Sequence, residues 1–154
     1  TLERICLALD LDIHTMLAQS FLVSADNAHA LHPSHPELAD ANEAPVLGGG
    51  VVIKHSPRYA TDGMSCAVFS EICRKAGVPV QHFANRSDVL GGSTLGNISS
   101  AHLSVPAVDV GLAQLAMHSV YETGGVADTG YMIRAIEQFY NTTLTAEGDG
   151  VLRL

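Results

Sequence analysis

An α/β layered fold is predicted by two features of this sequence. Apolar runs rich in β-branched residues alternate with segments of helical period, and three polar loops each follow a strand. With 154 residues, 47% hydrophobic and 16% charged, there is chain enough for one core and too little for two ordinary ones. A single domain is expected.

Leu2, Ile5, Leu7, Leu9, Ile13, Met16 and Leu17 recur as one amphipathic stripe, which predicts a helix over 2–19. FLVSA (21–25) reads as a short strand, and the Pro-, Gly-, Ala- and Asn-rich stretch 33–50 as a loop. GGGVVIK places a buried strand at 51–54. From Asp62 to Lys75, Met64, Ala67, Val68, Glu71 and Ile72 keep helical spacing, and Gly77 and Pro79 supply the stop. VPVQHFA (78–84) alternates faces as a strand does. GGSTLGNISSAHL (91–103) reads as a glycine turn opening a helix, with Ser93 or Thr94 as N-cap. VPAVDVG (105–111) is a further buried strand, a last helix runs from about Gly125 to Tyr140, and the tail 142–154 is expected to be frayed.

Composition removes several functions. A formal charge of −8, with only eight Lys and Arg, leaves no basic stripe for nucleic acid or for an anionic membrane surface. No apolar run approaches the roughly 18 residues of a membrane span. Cys66 and Cys73 share one predicted helix about 10 Å apart, too far for a disulfide, which points to a reducing compartment and a cytoplasmic protein. The chain also opens at Thr1 inside an amphipathic pattern, and is expected to be part of a longer polypeptide.

In α/β sheets functional groups collect beyond the carboxyl ends of strands, here the loops 26–32, 85–94 and 114–122. The first holds Asp26, His29, His32 and His35 at three-residue steps. Two readings stand side by side: carboxylate and imidazole both suit zinc, and an Asp followed by solvated histidines equally suits a capped turn. His118 in LAMHSVYE lies past another strand, so two strand ends together present Asp and His. GGSTLGNIS lacks the lysine of a P-loop and the spacing of a dinucleotide fingerprint, and Ser93 lacks the surroundings of a nucleophile elbow. Its expected work is a tight turn whose backbone N–H groups face a substrate.

Seven blocks in order, SADNAHALHP, VVIK, RYATD, NRSD, GGSTLGNIS, VDVG and LAMHS, resemble the aspartyl-aminopeptidase-like M18 family of zinc aminopeptidases over about Leu2 to Tyr140. The resemblance implies a three-layer zinc-peptidase-like α/β domain with a mixed sheet, of which residues 1–154 are the C-terminal portion. It implies two zinc ions, one with Asp26 as ligand and the other with His118. His29 and His32 match histidines that orient substrate or ligands, Lys54 matches a lysine near the pocket for the substrate's first side chain, and Gly92, Ser93, Thr94 and Gly96 match a segment facing the peptide substrate. A cationic Lys54 there would favour Asp or Glu by charge pairing, whereas its plain reading is a solvated strand-end lysine. Members of the family are cytosolic homo-oligomers, commonly dodecamers.

The family pattern further requires an upstream histidine ligand, a bridging Asp and a Glu-Glu pair that includes the general base, and the sequence contains no Glu-Glu pair. No catalytic residue is therefore assigned within the chain, those groups are expected in a missing N-terminal half, and the 154 residues alone are expected to be inactive. The continuation HPSHPELADANEAP departs from the family's HPN-type sequence, and His35 receives no role. The competing reading is a non-catalytic binding or assembly module with a degenerate metal site. A third is an unrelated metal-dependent amide hydrolase.

Overall fold

The computed structural model describes residues 1–148 and 150–154. The predicted first helix is two. α1 (Leu2–Ala8) ends where Asp10 turns to a left-handed φ of 53° and Leu11 N–H reaches back to Cys6 O at 2.9 Å. Asp12 then caps α2 (Ile13–Ala18), its carboxylate accepting from Thr15 N–H at 2.7 Å. The stripe of leucines hid this break because an N-capping Asp at position 12 opposes a continuous helix regardless of hydrophobic period.

Next come β1 (Leu22–Ala25), the two-residue β2 (Ala28–His29), a single 3₁₀ turn at Pro36–Leu38, and β3 (Val51–His55). α3 (Gly63–Lys75) starts at a capping box in which the Asp62 side chain accepts from Ser65 N–H and the Ser65 hydroxyl faces Asp62 N–H. β4 (Val80–Ala84), α4 (Leu95–Ser100), β5 (Ala107–Leu115), β6 (Thr123–Gly124) and α5 (Val126–Tyr140) follow. The tail is not frayed: β7 (Thr145–Gly148) and β8 (Val151–Arg153) form an antiparallel hairpin, crossed by a 2.7 Å pair between Arg153 and Glu147. Glycines 148 and 150, both at positive φ, allow its turn.

The sheet runs β1–β5–β3–β4, with β2 and β6 also on β5. β1 and β2 lie parallel to β5 and β4 parallel to β3, whereas β3 and β5 are antiparallel, so the sheet is mixed. Strand alternation sorts the layers. Val51, Ile53, Val108 and Val110 point to one face and pack with Phe69 and Cys73 of α3 and Ala135 of α5. Asp109 faces the other way, against Gly96 of α4, and Val52 and Phe83 build a smaller cluster with Ala28, Ala113 and Tyr59. Helices thus flank both faces, in three layers.

One buried carboxylate anchors the entry to β3. Asp128, at the start of α5, is fully buried and accepts from Gly48 N–H at 2.7 Å and Gly50 N–H at 3.0 Å. Asp128→Ala strands both donors and is expected to lower unfolding free energy by about 3 kcal/mol in urea titrations of the full polypeptide. Burial pushes the Cys73 thiol up to about 12 from 9.0. Because the unfolded chain loses that proton first, the thiol's stabilising share is intact below pH 9.0 and is lost as pH climbs towards 12. Iodoacetamide near neutral pH is expected to label the partly exposed Cys66 first, and the buried Cys6 and Cys73 only at the rate of unfolding.

Candidate active site

On the α4 side of the sheet, between the segment that follows β1, the loop that follows β4 and the turn that follows β5, lies a cleft of about 390 Å3. Asp26, His29, His32, Lys54, Gly92, Ser93, Thr94 and His118 all line it, although they come from four separate segments. Gly96 stands apart. Its N–H donates to Ser24 Oγ at 2.9 Å, and a Cβ there would meet the Asp109 carboxylate at 2.6 Å, so it serves the close packing of α4 on the sheet.

Asp26 is held by its backbone. Its N–H donates to Val110 O at 3.0 Å, its Oδ1 accepts from Asn27 N–H at 2.7 Å, and its carbonyl passes directly over Gly111 of β5. A Cβ on Gly111 would lie 2.1 Å from that carbonyl oxygen, which makes glycine obligatory there. β2 then pairs with β5 and fixes His29 opposite Gln114. Burial, with His118 and Lys54 nearby, holds the His29 imidazole below its ordinary pKa. His32 Nδ1 accepts from Ser34 N–H at 3.2 Å, and its ring lies 5.3 Å from that of His35, which in turn contacts Glu37 at 3.0 Å.

His118 is exposed and sits at a φ of 72°, a left-handed conformation uncommon for a residue with a Cβ. Its N–H donates to Glu122 Oε1 at 2.6 Å and Ser119 N–H to Ala116 O at 3.0 Å, which together close the turn. β5 continues to Leu115, four residues past the expected end, so His118 is presented from the tip of a strand.

Lys54 is no solvated strand-end lysine. It is 2% exposed, its Nζ donates to Asn27 O at 3.0 Å, and the Tyr59 ring lies 5.3 Å below the ammonium. Burial lowers its pKa, while the charges of Asp26 and Asp109 oppose that shift. Among the described residues no carboxylate lies within ion-pair distance of it. One step past the last β3–β5 pair, Ile53 with Val110, stands Asp109, fully buried, whose Oδ2 accepts from Ala60 N–H at 2.6 Å while Thr61 Oγ1 accepts from Asp109 N–H at 2.9 Å. Asp109 thereby ties the RYATD loop to β5. Arg58 of that loop donates to Gly91 O at 3.1 Å and holds the glycine turn as well.

The sequence assigns no role to Asp109, and places Asn85 and Gln114 only as the first residues of two polar loops. An Asp inside an apolar strand was the available signal for the first. In the cleft wall the side-chain oxygens of Asn85, Thr94 and Gln114 are buried without a protein partner, a pattern expected where a polar ligand or water completes the bonding. Thr94 is the N-cap of α4, yet its hydroxyl makes no capping bond.

A family model described as aminopeptidase I zinc metalloprotease (M18) matches residues 1–140. The chain belongs to the M18 family. The probable M18 family aminopeptidase 2 of Clostridium novyi is 46% identical over 145 residues, covering 91% of this chain and 34% of that protein. The crystal structure of yeast aminopeptidase 1 superposes with a TM-score of 0.76 at 31% identity, over 85% of this chain and 29% of the other. The Saccharomyces cerevisiae mApe1 dodecamer superposes at 0.75 and 31%, with the same coverage. The chain therefore spans about a third of the length of the M18 relatives it matches.

Zinc is the metal of the M18 description, and the donors fit it in kind: Asp26 and His118 in one cleft offer oxygen and nitrogen. They fall short in number. Among the described residues neither belongs to a cluster of three ligand atoms, nor do His29, His32 and His35 converge on one point, so the metal-binding reading of that run as a self-contained site is not what the fold builds.

Gly111→Ala drives a methyl into the Asp26 carbonyl and is expected to cost about 3 kcal/mol in thermal or urea unfolding. Gly92→Ala, with open space at its Cβ, is expected to stay within about 0.5 kcal/mol of the unaltered protein in the same measurement.

Proposed function

We propose that this chain is the C-terminal portion of the catalytic domain of a zinc aminopeptidase that removes N-terminal residues from peptides, with Asp and Glu preferred. The observation that carries the reading is the cleft in which Asp26 and His118 meet the buried, unpaired cation of Lys54. Asp26 and His118 each contribute to a different one of two zinc ions, and the remaining ligands and the general-base Glu come from outside these residues. Zinc, when bound, supplies Lewis acidity and brings the pKa of water to about 7.

The chain's own groups bind and orient. Lys54 Nζ keeps hydrogens free beside its bond to Asn27 O, and a carboxylate on the substrate's first side chain would replace the water that a buried ammonium lacks. His29 and His32 orient substrate or metal ligands from the cleft wall. Gly92, Ser93 and Thr94 present backbone to the peptide, and Gly96 supports them by seating α4. Residues 1–154 by themselves are inactive in this reading.

Three free cysteines accord with a reducing, cytoplasmic setting, and among the described residues no helix is long and apolar enough to cross a membrane. A homo-oligomer, dodecameric like mApe1, is proposed as the working state, together with the rest of the same polypeptide. A second reading, an assembly module without catalysis, draws on an apolar groove on α5 around Met132, Ile133, Ile136 and Tyr140.

The test uses the full-length polypeptide and aminoacyl chromogenic substrates. Chelation is expected to abolish hydrolysis and zinc to restore it, and Asp26→Asn or His118→Ala to lower kcat/KM at least about 100-fold, since even outer partners of a metal site cost 10- to 100-fold. Lys54→Met is expected to lower kcat/KM for Asp and Glu substrates by roughly 10- to 100-fold more than for Leu, the worth of one charge-assisted hydrogen bond. Equal losses on acidic and neutral substrates would end the proposed preference. Absence of any zinc-dependent peptide cleavage would leave the assembly reading.

A further inference from the structure

The opposite face of the sheet carries a group of side chains that the cleft does not use. His55 ends β3, His82 lies in β4 and Cys66 is on α3. By strand alternation His55 follows Val51 and Ile53 to the α3 side while Lys54 enters the cleft, and His82 is the register partner of Ile53. His55 Nε2 and His82 Nδ1 are 2.9 Å apart, and one ligand atom from each histidine and the Cys66 sulfur all fall within 4.8 Å of one another. All three residues are half-buried. Among the described residues this is the one set of three His, Cys, Asp or Glu side chains so arranged.

We infer that His55, His82 and Cys66 form a second metal site, for a zinc-class divalent ion, separated from the cleft by the thickness of the sheet. Two imidazoles and a thiolate are a zinc donor set, with bonds of about 2.0–2.1 Å to nitrogen and about 2.3 Å to sulfur. Tetrahedral binding at those lengths places the donor atoms about 3.3–3.6 Å apart, so the imidazoles part by a few tenths of an ångström and the sulfur closes in by up to about 1.2 Å. Solvent takes the fourth position.

Two adjacent nitrogens now share a single N–H, one as donor and one as acceptor. Binding replaces that shared hydrogen: the protonated ring moves its N–H to its other nitrogen through solvent, and the Cys66 thiol releases its proton to water. No redox partner is needed. The Glu43 carboxylate is close enough to act on His55 and adds negative charge to the approach. Cys66 also packs against the main core, and its sulfur lies 4.0 Å from Ser70 Oγ. A pair of histidines tilted at 33° with ring centroids 5.1 Å apart on a strand face beside a helix core fills apolar space poorly, whereas an ion there would clip β3 and β4 to α3.

The experiment is a cobalt(II) titration of the full-length protein, followed by the sulfur-to-cobalt charge-transfer band in the near ultraviolet. The cleft's candidate ligands hold no sulfur, so the band reports this cluster. Expected are a band that zinc bleaches, its loss in Cys66→Ser, cobalt affinity lowered at least about 10-fold in His55→Ala and in His82→Gln, and an unchanged band in the Asp26→Asn, His118→Ala double variant. That last arm separates this site from the aminopeptidase centre. Zinc is also expected to slow iodoacetamide labelling of Cys66 in the unaltered protein, a readout that no variant's folding can confuse. No band in the folded protein, a band that survives Cys66→Ser or both histidine variants, or labelling indifferent to zinc would each overturn the inference.

Discussion

Everything near the cleft depends on one constraint, the two-faced pairing of β5. Among the described residues it alone hydrogen-bonds to β1, β2, β3 and β6, so its nine residues set the register of those four strands, and β4 takes its own from β3. Val108 and Val110 commit one face to the helical core, and alternation then forces Asp109, Gly111 and Ala113 to the other. Each of these three has a task there. Asp109 fixes the RYATD loop, Gly111 lets the Asp26 backbone cross, and Ala113 leaves room beside Ala28.

The electrostatics of the cleft follow from this arrangement. A lysine and an aspartate sit on neighbouring strands, both nearly sealed from solvent, yet they do not close into a pair, because each is already engaged by backbone: Lys54 by Asn27 O, Asp109 by Ala60 N–H. A paired lysine would have spent its charge within the protein. Left beside a tyrosine face and a carbonyl, the ammonium retains capacity for an outside acceptor, at the cost of a pKa lowered by burial.

The two faces of β3 also divide chemistry between adjacent residues. Lys54 belongs to the cleft, and His55, one residue on, to the α3 side where it meets His82 and Cys66. A shift of one residue in register would exchange them, which is why the hydrophobic commitment of Val51 and Ile53 matters to both sites.

Much of this was legible in order along the chain. The strands expected at 51–54 and 78–84 and found at Val51–His55 and Val80–Ala84, the helix from Asp62 and the last helix all follow from apolar period and from Asp, Gly and Pro at element ends, which are local signals. The motif blocks were enough to name the family and to pick residues that do line one cleft. What local pattern could not reveal was contact. The burial of Lys54 depends on Asn27 and Tyr59, which the chain brings to it from other segments. The capped break at Asp10–Asp12 and the hairpin of the tail are instead made by near neighbours, whose local signals the apolar stripe and the polar composition masked. Likewise, three-residue steps from Asp26 to His35 suggested a ligand run, but an extended β2 followed by a loop spreads those side chains apart, while His55, Cys66 and His82, which share no spacing rule, are brought together by a parallel strand pair and the helix that connects them. Sequence alone determined which residue types stand at strand ends; only the tertiary structure decided which of them share a site, because that is set by strand register and the face on which each side chain emerges.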